Sequence, residues 1–253
     1  MVDITDSEAY AFAKNYSGSG DWLDEANSHD GAITGATWVD NSGDSYFDFG
    51  TNDQIAIPDA ANLDFAVGVS FTIGVAVHAA DYSTGATQSF INKRTGSASG
   101  WLLRVTGAAS GRFEIEDTSA NNPEDSITGF SDNTKHTVIG VRNVGDDDLE
   151  IFLDGTGSGS PTTDSTTATL ANAEDVILGG PAGGADLIGR IYSYCIIRQA
   201  LSDAEIGVLH TQLFDQNLGG IAGHWGLRVA SWVLAGTSGL WLPSHASDIL
   251  DMV

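Results

Sequence analysis

The chain has 253 residues and a formal net charge of −24, because 34 acidic residues outnumber 10 Lys and Arg. A surface this acidic repels phosphate groups and anionic lipids, and no basic stripe is present, so we expect neither nucleic acid nor an anionic membrane as a partner. The length allows one large β domain, because β-sandwiches of about 200–250 residues are often single domains.

The first 20 residues predict a short N-terminal arm. Asp6 or Ser7 can cap a short helix over residues 8–14, and residues 17–20 have the Ser-Gly-Ser-Gly composition of a flexible linker. The start of the chain has no basic residue followed by an apolar stretch, so we expect no secretory signal and synthesis in a cytoplasm.

From residue 29 onward, short apolar runs alternate with Gly, Asp, Asn and Ser, which predicts strands separated by turns. With their bounding Gly, Asp or Pro, these runs are residues 29–34, 38–39, 47–50, 54–58, 70–77, 135–141, 149–155, 176–180 and 187–197.

The run at residues 70–77 shows the alternation of a strand with one core face. That face carries Phe71, Ile73, Val75 and Val77. The opposite face carries only small residues, Thr72, Gly74 and Ala76. It is therefore either a concave surface or a surface that another element covers.

Two local signals punctuate the second half of the chain. Asp154-Gly155 after an alternating strand predicts a hairpin, because both residues tolerate the positive φ of tight turns. Ser202 and Glu205 match the capping box of a helix that we expect to end at Phe214.

The single cysteine, Cys195, excludes an internal disulfide and is expected to be buried.

This order of strands, Asp-Gly turn, Leu-Gly-Gly, long strand and Leu-Ser-Asp-Ala-Glu-Ile resembles the laminin-G-like, concanavalin-A-like jelly rolls over about residues 21–212. The resemblance implies an all-β, antiparallel jelly-roll β-sandwich with a short N-terminal arm, a C-terminal helix and an apolar tail. Many members have Trp-His-His where residues 135–141 lie, and only His136 is present here. Such jelly rolls serve as lectins, enzyme-attached modules, adhesins and viral surface domains, so the resemblance implies a fold and leaves function open.

No catalytic constellation is apparent in the sequence. The six His residues are scattered, and none has a His or Cys partner at metal-ligand spacing. Glu114, Glu116 and Asp117 come nearest to the paired carboxylates of jelly-roll glycosidases, but their order and spacing differ. We interpret them as a solvated strand face and do not expect an enzyme.

Calcium and sugar are the remaining ligands to consider. The resemblance implies Ca²⁺ as a possible cofactor, since jelly rolls of this kind often hold it at a sheet rim. Suitable oxygen donors occur at Asn52, Asp53, Asp146 and Asp148, with Asp132-Asn133 as a further pair, although acidic loops on an acidic protein are usually just solvated. A sugar would need an exposed aromatic platform, for which Tyr82, Trp101 and Tyr46 are candidates that can equally be core residues.

Residues 213–253 predict a C-terminal tail unlike the rest of the chain. A membrane span is not expected there, because Arg228, His224 and several Gly interrupt the apolar run. The tail can fold back onto its own core, or it can bury its apolar side chains against another protein. The candidate interface residues are Trp225, Leu227, Trp232, Val233, Leu234 and Trp241.

Two functions remain in different classes. The first is a structural virion protein, a head-decoration or tail-surface subunit of a phage particle at the virion surface. Its partners would be other copies of itself and a major capsid or tail protein. The alternative is a carbohydrate-binding lectin or adhesin module that recognises a host glycan.

Overall fold

The computed structural model describes residues 7–26, 29–83, 85–94, 99–180 and 186–218. Within these residues sixteen strands form two antiparallel sheets, and one α-helix follows the last strand. The strands are β1 Ala9–Phe12, β2 Ala32–Thr34, β3 Thr37–Val39, β4 Tyr46–Phe49, β5 Gln54–Ile57, β6 Phe71–Ala79, β7 Gln88–Asn92, β8 Gly100–Thr106, β9 Ser110–Glu116, β10 Glu124–Thr128, β11 Thr134–Asn143, β12 Asp148–Leu153, β13 Thr156–Gly157, β14 Thr162–Thr163, β15 Val176–Leu178 and β16 Gly189–Ile197. The helix α1 is Asp203–Phe214.

The two sheets interleave strands that are distant in sequence. The larger sheet has the order β13-β12-β11-β6-β16-β4-β3, with β1 pairing with β16 and β14 pairing with β12. The smaller sheet has the order β10-β9-β8-β7-β15-β5-β2. The predicted all-β, antiparallel jelly-roll sandwich is confirmed, as are the strand runs from residue 29 to residue 197.

The main core lies between the inner faces of the two sheets. Phe71, Ile73, Val75 and Val77 are completely buried in it, as the alternation along β6 predicts. Burying such a side chain contributes about 1.5–3 kcal/mol, so the inner faces supply most of the driving force for folding.

The helix α1 covers the face of β6 that carries Thr72, Gly74 and Ala76. This face is therefore covered by another element and is not a concave surface. A Cβ added at Gly74 would lie 2.7 Å from Leu213 Cδ1, so glycine permits the close approach of the helix. A second apolar cluster, which includes Ala76, Cys195, Ile206, Leu209 and Leu213, fills this layer. Cys195 is fully buried there, and burial raises the pKa of its thiol to about 12.

Both ends of α1 are stabilised by side chains. The predicted capping box is present: Ser202 N–H donates to Glu205 Oε2 at 3.0 Å. The last turn has no basic residue of its own, but Lys135 on β11 donates to the carbonyl oxygen of Phe214. A cation at this position complements the negative end of the helix dipole.

The predicted helix at residues 8–14 is wrong. Residues Ala9–Phe12 form β1, which pairs with β16, and all four residues are buried. The alternation Ala-Tyr-Ala-Phe explains the strand, because the two alanines enter the main core while Tyr10 and Phe12 join the cluster under α1. The described part of the predicted arm therefore belongs to the sandwich.

Candidate functional site along strand β12

Strand β12 lies beside two clefts and positions the polar groups of both. Leu149, Ile151 and Leu153 belong to the main core, so the strand alternation turns Asp148 and Glu150 towards the outer face of the larger sheet. The strand ends in the predicted hairpin, where Asp154 and Gly155 have φ of 50° and 77°. This turn brings β13 back alongside β12.

The first cleft, here called the acidic cleft, has a volume of about 590 Å³ and lies between the outer face of the larger sheet and the first turn of α1. Five carboxylates line it, and none of the described lining residues is Lys, Arg or His. The lining consists of Val141, Asn143, Asp146, Asp148, Glu150, Phe152, Ala200, Leu201, Ser202, Asp203, Ala204 and Glu205.

Two carboxylates of the acidic cleft, Asp148 and Glu150, are harder to ionise than usual. Burial, followed by the neighbouring charges of Asp146, Asp147 and Asp125, raises the pKa of Asp148. Burial and the nearby Asp203 likewise raise the pKa of Glu150, although a hydrogen bond from the backbone of Gly159 opposes the change. The charged forms of these side chains are therefore costly in the folded protein.

Four of the six candidate calcium ligands lie at two separate places. Asp146 and Asp148 line the acidic cleft, whereas Asn52 and Asp53 lie in the turn after β4, four strands away in the larger sheet. Asp53 there accepts a hydrogen bond from Gly50 N–H at 2.7 Å. Among the residues that the structure describes, no group of three or more His, Cys, Asp or Glu is placed to hold a metal ion. Calcium at either place stays a prediction.

The second cleft, here called the edge cleft, has a volume of about 550 Å³ and lies where β10 of the smaller sheet meets the β12–β13 hairpin of the larger one. Four hydroxyl side chains and one carboxylate surround two apolar side chains. The lining consists of Ser126, Ile127, Thr128, Leu153, Asp154, Thr156, Gly157 and Ser158.

Two hydrogen bonds fix the orientation of the Asp154 carboxylate. Its Oδ1 accepts from Thr137 N–H at 2.9 Å, and its Oδ2 lies 2.7 Å from His136 Nδ1. Ser131 N–H donates to His136 Nε2 at 3.0 Å, so the proton of the neutral ring lies on Nδ1 and points at Asp154. His210 on α1 lies 2.6 Å from Thr137 Oγ1 and approaches the same turn.

These contacts keep Asp154 ionised. Burial alone would raise its pKa, but the hydrogen bonds from His136 and Thr137, with the nearby His210, lower it below its usual value. The side chain is still 42% exposed, so an ionised acceptor of fixed orientation faces the solvent in the edge cleft.

The sugar platforms predicted at Tyr82 and Trp101 are not on the surface. The exposed fractions of the two residues are 0% and 1%, so both are core residues. The hydroxyl of Tyr82 donates to main-chain oxygen atoms and accepts from Ala79 N–H, and burial raises its pKa. Tyr46 is half-buried on the larger sheet, with the Arg190 guanidinium 4.5 Å from its ring centre.

The interpretation of Glu114 and Glu116 as a solvated face is also wrong. Their side chains are only 5% and 9% exposed, and both pair with Arg94, at 2.6 and 2.8 Å. Arg104 pairs with Glu114, and Arg112 with Glu124, so three Arg and three Glu form one network on the outer face of the smaller sheet. Each of the two glutamates is held by guanidinium groups, which gives them a structural role.

Local sequence patterns do not reveal the edge cleft, although they draw attention to Asp154, which lines it, and to His136, which contacts Asp154. Asp154 was noted as a turn residue and His136 as a position of the family pattern. Their contact depends on the register that pairs Val138 with Leu153, and no local signal reveals it. His210 comes from a helix 56 residues beyond Asp154, so its approach is equally invisible in the sequence.

The candidate interface residues Trp225, Leu227, Trp232, Val233, Leu234 and Trp241 lie outside the described residues. Within the described residues, no helix has the length and apolar character needed to cross a membrane.

Comparison with known proteins gives a family and a set of structural neighbours. Residues 49–207 match the family described as "Concanavalin A-like lectin/glucanases superfamily". No curated protein matches the sequence.

Solved structures resemble the fold at low sequence identity. The botulinum neurotoxin serotype G binding domain is 10% identical, with a TM-score of 0.65 over 81% of this chain and 50% of that one. The botulinum neurotoxin serotype D ligand binding domain, in complex with N-acetylneuraminic acid, is 13% identical, with a TM-score of 0.63 over 83% and 51%. A Trypanosoma rangeli sialidase is 16% identical, with a TM-score of 0.62 over 85% and 33%. The chain thus spans about half the length of these toxin domains and a third of the sialidase.

Proposed function

The chain belongs to the concanavalin A-like lectin/glucanase superfamily, and from this premise we propose that its sandwich is a non-catalytic module that binds carbohydrate. The neighbours that are toxin binding domains support a recognition module, although at their level of identity they establish only a shared fold. The observation that carries the proposal is the edge cleft, in which an ionised, oriented carboxylate lies among hydroxyl groups.

The edge cleft has the chemistry that a saccharide requires. Its volume of about 550 Å³ lies within the range of ligand pockets, roughly 300–1,000 Å³. The hydroxyls of Ser126, Thr128, Thr156 and Ser158 can each donate and accept hydrogen bonds to sugar hydroxyls. Ile127 and Leu153 offer apolar contact for the C–H faces of a ring.

The same cleft is poorly suited to glycoside hydrolysis. Most glycosidases need two carboxyl groups flanking the bond, one of them a general acid with a raised pKa. Asp154 is the one carboxyl group among the described lining residues, and its pKa is lowered. We therefore expect binding without turnover.

Glycan binding and single-hydroxyl variants test the proposal. We expect the full chain to bind members of a glycan array and expect Thr156→Val to weaken that binding about 2- to 10-fold in calorimetry, because one neutral hydrogen bond is worth about 0.5–1.5 kcal/mol. Thr118→Val is the matched control, since Thr118 is exposed and does not line the edge cleft. Binding that is equally strong in both variants, or no binding to any glycan, would contradict the proposal.

A second proposal concerns residues 219–253, which we propose to be a docking segment in a larger assembly, such as the head or tail surface of a phage particle. The observation that favours it is compositional: the segment holds three of the six Trp residues and only two of the 34 acidic ones. Aromatic, charge-poor segments are typical of interface cores. Light scattering should show association of the full chain and a monomer after truncation at residue 218, with the sandwich still folded. A monomeric full chain would contradict self-association through this segment.

A further inference from the structure

We infer that the edge cleft selects neutral saccharides over acidic ones, with Asp154 as the residue that determines the selection. This inference rests on the proposed carbohydrate-binding function and names the class of ligand for the same site.

The first argument is the number of acceptor sites that Asp154 has free. An ionised carboxylate offers about four lone-pair sites. Thr137 N–H occupies one site on Oδ1 and His136 Nδ1–H one on Oδ2, so each oxygen keeps one site for a ligand. Two neighbouring hydroxyl groups of a sugar are donors with the right spacing to fill both. A ligand carboxylate or sulfate has no proton to donate there.

The second argument is the absence of a counter-charge. Among the described residues lining the edge cleft there is no Lys, Arg or His, so the lining itself offers an acidic sugar no cation. His210 on α1 lowers the pKa of Asp154, but it is not a lining residue and its Nδ1 lies 2.6 Å from Thr137 Oγ1. His136 is not available to a ligand, because its side chain is 5% exposed and its ring nitrogens are engaged by Ser131 N–H and Asp154. The remaining charge of the chain, −24 overall, adds to the repulsion of an anion.

The third argument concerns the arginine nearest to the cleft by strand register. Arg112 on β9 lies opposite Ser126 on β10. Its guanidinium is paired with Glu124, which also lies within 3.6 Å of Arg104. This cation is therefore already neutralised within the network on the smaller sheet and is not free for an acidic ligand.

The test uses an array of matched pairs, each a neutral glycan and its sialylated or sulfated counterpart, followed by calorimetry on the best pair. We expect the full chain to bind the neutral member at least tenfold more tightly. Asp154→Asn keeps an acceptor for Thr137 N–H but removes the charge, so the ratio should fall to about twofold or less. Asp21→Asn is the control, because it changes the net charge equally at an exposed position that does not line the cleft, and it should keep the ratio.

A second variant guards against loss of the turn in Asp154→Asn. Thr128 is an exposed residue of the cleft lining, so Thr128→Asp adds a carboxylate without touching the hairpin, and the ratio should widen. Tighter or equal binding of the acidic members would overturn the inference while leaving the carbohydrate-binding proposal standing. A ratio that does not respond to either variant would overturn it as well. Failure of all glycans to bind would remove the proposed function and this inference together.

Discussion

The outer faces of the two sheets differ in whether their charged side chains are paired. On the smaller sheet, three Arg and three Glu form ion pairs that join β8, β9, β10 and the residues after β7, and Arg94, Glu114 and Glu116 are almost fully buried. On the larger sheet, the acidic cleft collects five carboxylates with no cation among its described lining residues. The first face is neutral and densely paired, and the second is strongly negative and open.

The charges of the smaller sheet are needed for the stability of the fold, whereas the carboxylates of the acidic cleft reduce it. A buried ion pair has little net effect when complete, but it becomes costly when one partner is lost. Unpaired carboxylates instead lower stability a little in the native state and stay available to solvent and ligands. Removing a carboxylate from the paired face should therefore lower the free energy of unfolding, whereas removing one from the acidic cleft should raise it.

The largest effect is expected on the paired face. Glu114→Gln removes a charge that pairs with both Arg94 and Arg104, so the nearly buried Arg94 loses one of its two glutamates and Arg104 keeps only the more distant Glu124. We expect a loss of about 3 kcal/mol in the free energy of unfolding, measured by urea denaturation at pH 7. Glu124→Gln is the matched control, since its side chain is 29% exposed, and it should cost about 1 kcal/mol or less. Equal small losses in both variants would show that burial does not govern this face.

Removing a charge from the acidic cleft is expected to increase the stability of the protein at pH 7. Because the folded-state pKa of Glu150 is raised, its protonated form is favoured by folding, and this stability is present at low pH and lost as the pH rises through that pKa. Glu150→Gln should therefore stabilise the protein at pH 7, by roughly 0.5 kcal/mol. The gain should vanish in acid, where the wild-type side chain is also neutral. Thermal unfolding across pH measures this, and a destabilised variant at pH 7 would contradict it.

The smallest effect is expected from salt. Raising NaCl from about 0.05 M to about 1 M shortens the screening length to about 3 Å and should relieve the repulsion in the acidic cleft by a few tenths of a kcal/mol. The Glu150→Gln variant should gain less than the wild type, because one of the repelling charges is gone. The cost of Glu114→Gln should change little, since buried pairs are screened weakly. A salt response that is the same in all three proteins would place its origin elsewhere on the acidic surface.

Local patterns were sufficient for nine of the sixteen strands and for the helix, whereas β1, β7–β10, β13 and β14 are not among the predicted runs. The alternation of Phe71, Ile73, Val75 and Val77 defines a core face whatever lies opposite, because burial of that face dominates the energy. Asp154-Gly155 and the Ser202–Glu205 capping box act within four residues, so their signals are complete in the sequence.

The features that local patterns leave open or predict wrongly depend on non-local packing. Residues 8–14 contain good helix formers, yet β1 forms because β16 offers partners and two apolar layers receive its alternating side chains. The sequence does not reveal the burial of Glu114 and Glu116, because their arginine partners lie on β8 and just after β7. Tyr82 and Trp101 looked equally suited to the surface and to the core, and burial settled them in the core.

By itself the sequence determined the family, the strand pattern and the capped helix, because periodicity, turn residues and caps act over a few residues and need no partner. Only the tertiary structure decided that α1 covers the larger sheet, that the carboxylates divide into a paired face and an open cleft, and that His136 orients Asp154 beside four hydroxyls. Those features depend on the register and crossing of strands far apart in the chain. The local sequence around each residue does not indicate which residues will lie next to it in the folded sheets.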